Sequence, residues 1–426
     1  MKLKRPKLST FFAILLGATV AVIAALNLMP DRRELRGPVA ATLGASEPAF
    51  RRSMAGIYGS NLLGGNQIET LRNGDRIFPA MLEAIRAARI SINFETYVYW
   101  SGNIAEEFAE ALAERAEAGV EVRVLMDWVG SRPVDAGLIE RMERAGVHIT
   151  RFRPVRWYTI DRINNRTHRK LLIVDGRIGF TGGVGIADEW RGDARTTDEF
   201  RETHYRVTGP VVAMLQGAFV SNWVEDSGEI LRGDLFFPPL APAGEMVAQL
   251  EISSTGSRNY IHMMLMTALS AAEHHIRIAT PYFVPDDVAI AQLVEARARG
   301  VEVDILLPGP EINKPAVRRA SRALWGPLLQ AGVRIHEYQP TFLHAKLLIV
   351  DDVFASVGST NFDERSFRLN DEANLNVFDR DFARAQIAMF EEDLAQALPI
   401  ALPAWQSRPW HVKVSDWMWS WLRPQL

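Results

Sequence analysis

Two short stretches of this chain carry the same polar pattern. Thr167-His168-Arg169-Lys170 runs into Leu-Leu-Ile-Val-Asp175 and then Gly182-Gly183, while Leu343-His344-Ala345-Lys346 runs into Leu-Leu-Ile-Val-Asp351 and then Gly358-Ser359-Thr360-Asn361. Histidine, lysine, aspartate and glycine each recur 176 residues apart. Imidazole acts as a nucleophile or as a general acid and base near neutral pH. Lysine brings a cation to a phosphate oxygen, and the turn after the strand offers backbone N–H groups, with Ser359 and Asn361 as further donors. Set face to face, the two pairs would let one histidine attack phosphorus while the other protonates the departing alkoxide. The second histidine would then activate an incoming alcohol or water. A single His-x-Lys beside a strand is ordinarily a satisfied surface pair. Its repetition with matched Asp and Gly positions is what marks this one as functional. No metal or cofactor is expected, because no Asp/Glu/His cluster has ligand spacing and two lysines would repel a cation.

The elements that must carry these residues repeat as well. Leu-Leu-Ile-Val is a short apolar run with β-branched residues, hence a buried strand. Side chains alternate faces along a strand, so His168 and Lys170 share one face while Asp175 falls on the other and braces the structure from behind. His344, Lys346 and Asp351 have the same parity. Ala118-Gly-Val-Glu-Val-Arg-Val-Leu-Met126 parallels Arg299-Gly-Val-Glu-Val-Asp-Ile-Leu-Leu307, each a helix end, a glycine stop and a strand. Ile77 to Ala88 followed by Ile90 to Phe94 parallels Ile261 to Ala272 followed by Ile276 to Ala279. Helix and strand therefore alternate through both halves, which predicts an α/β layered lobe built twice. The proline-rich stretch Phe236 to Gly244 reads as the linker. The expected division is a first lobe over 45–235, a second over 245–400 and a tryptophan-rich tail over 401–426, with the site where the lobes meet.

Bulk properties narrow the classes. The 426 residues are 48% apolar with a net charge of −3, enough for large cores and no basic field for gripping nucleic acid, so no nucleic-acid partner is expected. The absence of cysteine excludes disulfides and thiol nucleophiles. Lys2, Lys4, Arg5 and Lys7 precede a run from Phe11 to Met29 that is apolar except for Thr19 and Asn27. That run is close to the roughly 20 residues that cross a bilayer as a helix, so 9–29 is expected to be a single-pass anchor, with a cleaved signal peptide as the alternative. Basic residues flank both ends and leave its sidedness open. Five of the eleven tryptophans lie after Pro403, which suits either a membrane-interface segment or a strap over the second lobe.

The pattern His-x-Lys-x4-Asp-x6-Gly-[Gly/Ser], present twice, resembles the phospholipase D superfamily from about Asn61 to about Ala395. Its flanks resemble bacterial cardiolipin synthases: Asn165-Arg-Thr-His-Arg-Lys-Leu, Gly185-Ile-Ala-Asp-Glu-Trp190, Arg201-Glu-Thr-His204, Thr280-Pro-Tyr-Phe-Val284 and Arg365-Ser-Phe-Arg-Leu-Asn370. The resemblance implies two α/β/α sandwich lobes about a pseudo-twofold axis and a phosphatidyl-histidine intermediate. Phosphatidylglycerol would be the membrane substrate, two molecules giving cardiolipin and glycerol at the bacterial inner membrane. It also implies His168 as nucleophile, His344 as acid and base, and Lys170, Lys346 and Asn361 on the phosphate, with Ser359 and Gly183 nearby. The motif aspartates Asp175 and Asp351 are counted with the catalytic set. Glu202 and Glu372 would orient the histidines, which fixes the tautomer and stabilises imidazolium. The chain departs from the family at Gly185, where Asn is usual, at Phe200, where Trp is usual, and at Glu202, where Asp is usual. Cardiolipin synthases also often carry two N-terminal spans. A lipid hydrolase or a nuclease of the same superfamily is the alternative, and a non-catalytic scaffold would have no need of both His-Lys pairs.

Overall fold

The structure is a computed structural model and describes residues 35–155, 164–254 and 259–426, with residues 17, 18 and 22. Its first half contributes seven strands: β1 (Leu63–Arg72), β2 (Ser91–Thr96), β3 (Glu121–Asp127), β4 (His148–Phe152), β5 (Leu171–Val174), β6 (Ile178–Gly182) and β7 (Thr203–Thr208). The second contributes β8 (Met246–Ile252), β9 (His275–Ala279), β10 (Phe283–Val284), β11 (Glu302–Pro308), β12 (Arg334–Tyr338), β13 (Leu347–Val350), β14 (Phe354–Gly358), β15 (Phe362–Asp363), β16 (Ala373–Val377) and β17 (Ala397–Pro399). All but β10 and β15, which pair with each other, form one sheet in the order β17-β12-β11-β9-β13-β14-β16-β8-β1-β7-β6-β5-β2-β3-β4. Read outward from the β8–β1 junction the two arms match over seven strands, and β17 adds an antiparallel edge to the second. In each matched set the three outer strands are parallel and the inner ones antiparallel.

This differs from two separate sandwiches, because antiparallel pairing of β1 with β8 makes the sheet continuous across the lobes. The motif strands show why the halves fold alike. Every side chain of β5 and β13 is buried, as a strand covered on both faces requires. Leu172 and Val174 enter the first lobe's outer core and Leu348 and Val350 the second's. Leu171, Ile173, Leu347 and Ile349 all enter one central core shared by both lobes. That core is capped by the helices Val212–Ser227 and Arg380–Leu394, which bring Phe219, Phe382 and Phe390.

The division of the chain needs one change. The helix Pro48–Tyr58, within the stretch expected for the first lobe, packs into the second, where Phe50 meets Phe354 and Phe378 and Tyr58 meets Tyr260. Its buried Phe50, Met54 and Tyr58 are spaced i, i+4, i+8, one helix stripe that needs an apolar partner. The tail continues into a helix, Trp410–Ser420, laid along the helix Pro315–Gln330 of the second lobe. The anchor expected over 9–29 lies, apart from residues 17, 18 and 22, outside the described residues. No helix among the described residues is long and apolar enough to cross a membrane.

Candidate active site

The residues just before β5 and β13 are extended and cross from one lobe to the other. His168 donates its backbone N–H to the Asp371 carbonyl at 2.8 Å, and His344 donates its own to the Arg201 carbonyl at 2.7 Å. Asp371 and Arg201 in turn donate to the carbonyls of Arg166 and Phe342. Each motif is thus bridged to the strand entry of the opposite lobe, at Thr167–Asp371 and Arg201–Leu343. The next residue after each bridge is a glutamate, which is how Glu372 reaches His168 and Glu202 reaches His344.

The orienting glutamates therefore act across the lobes. His168 Nδ1 lies 3.0 Å from both oxygens of Glu372, and His344 Nδ1 lies 2.5 Å from Glu202 Oε2. An ionised carboxylate only accepts, so each Nδ1 carries the proton and each Nε2 keeps its lone pair. Lys170 and Lys346 donate to the carbonyls of their own motif histidines, at 2.6 and 2.5 Å. Lys346 Nζ also sits 3.0 and 3.2 Å from the two ring nitrogens of His344. His168, Lys170 and His344 line a single cleft of about 760 Å³ with its mouth included, walled by Tyr97, Trp190 and Tyr282.

Burial without solvent governs the electrostatics. It pushes His344 down to about 3, helped by Lys346, and His168 well below the ordinary imidazole value, helped by Lys170 and Lys346. Burial likewise lowers Lys170 to about 7 and Lys346 to about 8. The two glutamates separate. Burial pushes Glu372 up to about 7, whereas for Glu202 the same burial is outweighed by Lys346 and His344, which hold its carboxyl below the ordinary range. Two neutral imidazoles backed by carboxylates, with two lysines and room for a phosphodiester, can carry out double displacement at phosphorus.

Not every expected residue is at the chemistry. Asp175 and Asp351, counted above with the catalytic set, lie away from the cleft lining, at the far ends of β5 and β13. Asp175 accepts from the amides of Arg89, Ile90 and Ser91, and Asp351 from those of Glu273, His274 and His275. Both adopt a left-handed turn with φ of 53°, a conformation aspartate tolerates better than most residues. Strand parity had pointed to this bracing role. Ser359 does not face a phosphate either: its hydroxyl donates to Glu372 at 2.5 Å. The Gly183 amide leans toward the Thr203 carbonyl, and a Cβ there would fall 2.4 Å from a Glu202 oxygen, so this glycine makes room for the carboxylate. Asn361 is buried beside the site, with no hydrogen-bond partner for its Oδ1 among the described residues.

Residues 81–190 and 265–394 match the family model described as "Cardiolipin synthase, PLD-like domain". The chain belongs to that phospholipase D-like family. It is similar to the cardiolipin synthase 2 of Bacillus anthracis, 35% identical over 364 residues, covering 84% of this chain and 71% of that one. Its similarity to the cardiolipin synthase A of Pseudomonas fluorescens strain Pf-5 is 34% over 355 residues, 83% of this chain and 74% of that one. Among solved structures, the phosphatidylserine synthase of Haemophilus influenzae Rd KW20 shares the fold with a TM-score of 0.68 at 14% identity, over 89% of this chain and 100% of that one. The polyphosphate kinase of Porphyromonas gingivalis does so at 0.55 and 14%, over 88% of this chain and 54% of that one.

Within the family, this chain's departures have a local cause. A Cβ on Gly185 would meet Val98 at 2.8 Å and the Trp190 ring at 3.1 Å, so the space an asparagine would need is taken by tryptophan. Trp190 lies 5.3 Å from the His344 ring, and its Nε1 donates to Glu202 at 3.3 Å. Phe200 meets Trp190 and Phe342 edge to face and completes an apolar collar around His344. Sequence reasoning passed over Trp190, Tyr97 and Lys314. Trp190 did stand in a quoted flank, but Lys314 had no signal beyond its charge and reaches the cleft only through the fold. Register also hid a cluster outside the cleft, where His275, Glu302 and Asp304 come within 4.8 Å of one another. Arg334 is ion-paired with both of those acids.

Proposed function

We propose that this phospholipase D-type phosphatidyltransferase makes cardiolipin from two phosphatidylglycerol molecules with release of glycerol. The observation that carries the reading is the crossed pairing: two histidines from different lobes, each held by the other lobe's glutamate, facing one cleft with Lys170, while Lys346 sits against the His344 ring. In the first step His168 Nε2 attacks phosphorus, its positive charge supported by Glu372 through Nδ1–H. The glycerol alkoxide leaves with the Nε2 proton of His344, whose imidazolium is supported by Glu202. In the second step neutral His344 accepts the proton of the incoming phosphatidylglycerol hydroxyl, and that oxygen displaces His168 from phosphorus. Lys170 and Lys346 meet the phosphate oxygens.

The split between the glutamates supports this assignment of roles. Glu202, held ionised, favours a cationic His344, the state an acid needs. Glu372, raised to about 7, supports a cation on His168 less strongly and leaves it the neutral nucleophile. The resting site keeps His344 deprotonated, so it takes up a proton from solvent as the anionic phosphate binds beside it, and each second step returns that proton to Nε2. The apolar run Phe11 to Met29 would anchor the chain in the bacterial inner membrane, where its lipid substrate resides.

Lipid mass spectrometry after incubating the purified protein with phosphatidylglycerol vesicles in EDTA tests this, with His168→Ala alongside. Cardiolipin and glycerol from the unaltered protein only are expected. Phosphatidic acid in place of cardiolipin would make the enzyme a hydrolase, and no product would overturn the substrate.

A further inference from the structure

The tail helix Trp410–Ser420 has one face packed and one bare. Inward, Asp416 is buried between Arg322 and Arg408, at 2.8 and 2.5 Å, and Trp405 donates to the Arg322 carbonyl. Trp419 and Leu426 pack with Tyr282, a wall of the cleft, against Val284, Val317 and Ala320. Outward, Trp410 is 76% exposed, Val414 44%, Trp417 54%, Met418 61% and Trp421 68%. At 3.6 residues per turn these positions fall within an arc of about 100°, one continuous apolar stripe. Six of the thirteen large apolar side chains exposed among the described residues lie between Trp410 and Leu422. An exposed patch of this kind on a water-soluble surface calls for a partner.

Its chemistry selects the partner. Tryptophan favours the zone between lipid headgroups and acyl chains, where an amphipathic ring satisfies both sides. Over residues 401–426 the charged side chains are Arg408, Lys413, Asp416 and Arg423, and the one acid is consumed by buried ion pairs. Lys413 and His411 are exposed and flank the stripe, and Arg319 is exposed on the supporting helix. The supporting helix begins directly after Lys314, which lines the cleft. We propose that the outer face of Trp410–Trp421 is an interfacial foot that rests on an anionic phospholipid bilayer and holds the cleft beside its lipid substrate.

The chain has no cysteine, so single labels can be placed at will. The full-length protein carrying Met418→Cys or, as control, Ile230→Cys is labelled with an environment-sensitive fluorophore and mixed with phosphatidylglycerol vesicles bearing acyl-chain quenchers. Ile230 is 68% exposed and lies outside the foot. The Met418 label is expected to shift to the blue and be quenched at least about threefold more than the control. Equal, water-like emission at both sites would overturn the proposal. A blue shift without lipid that grows with protein concentration would also overturn it and assign the face to a second copy of the chain. These readouts stand even if the protein transfers no phosphatidyl group. A W410S/W417S/M418S/W421S variant, altered only at exposed side chains, adds a kinetic arm. Its turnover on vesicles should fall about tenfold while turnover of monomeric short-chain phosphatidylglycerol holds. Equal loss on both substrates would assign these residues to the fold and sink the proposal.

Discussion

Each histidine here depends on a residue supplied by the other half of the chain. Because Glu372 sits at about 7 and Lys170 at about 7, their titrations bound the free enzyme's activity. As pH falls below 7, Glu372 takes a proton and no longer fixes the His168 tautomer. As pH rises above 7, Lys170 loses its charge and phosphate binding weakens. A kcat/KM profile should therefore be a narrow bell near neutrality, and Glu372→Gln should flatten its acid limb while lowering the maximum by about 100-fold. An acid limb unchanged in that variant would contradict the role of Glu372. Gly185→Asn, which restores the family's usual residue, is expected to destabilise by about 1–3 kcal/mol because Trp190 and Val98 already fill the space. Chemical denaturation measures this directly.

At the scale of elements, the motif is a strand with a polar group at each end. The histidine reaches the cleft before β5 or β13 with the lysine beside it, and the aspartate ties the following turn to the entry of β2 or β9. Asp175→Ala removes an acceptor for three amides and places alanine at a φ of 53°, so a loss of about 2–4 kcal/mol is expected. Turnover per folded molecule should be retained, as stopped assays beside thermal melting would show. The strands carrying the motifs were legible because an apolar tetrad with β-branched residues, bounded by lysine and aspartate, reads as a short buried strand. The ends of the helices Asn103–Glu117 and Asp287–Ala298 were legible from the glycine stop that precedes a strand in each half. Legibility failed for β1, β7, β8 and β16, the strands that join the lobes. Their patterns mix polar and apolar residues because polar side chains such as Gln249 and Asn376 are buried there, Gln249 donating to Ser60, a neighbour distant in sequence. The crossing of Glu202 and Glu372 was hidden for the same reason, since nothing local states which histidine each will meet.

Across the whole molecule, the lobes are one folding unit. Arg169, fully buried between His168 and Lys170, donates to the carbonyls of Ala218, Ser253 and Glu372 and to the hydroxyls of Ser221 and Ser254. Arg201 of the first lobe forms a buried two-pronged pair with Asp393 of the second, at 2.9 and 2.8 Å. Removing one partner leaves a charge buried and unpaired, so Asp393→Ala should cost about 3–5 kcal/mol in denaturant-induced unfolding. Unfolding of the whole chain should stay a single transition, since β1 and β8 share a sheet and both halves share a core. The proposed mechanism runs at this joint site through a covalent phosphohistidine on the first motif. Its most direct test is peptide mass spectrometry after brief exposure to phosphatidylglycerol and a non-acidic quench, on the unaltered protein and on His344→Ala. A phosphatidyl adduct on the His168 peptide is predicted. An adduct on His344 in the unaltered protein, or cardiolipin formed at the ordinary rate by His168→Ala, would contradict it.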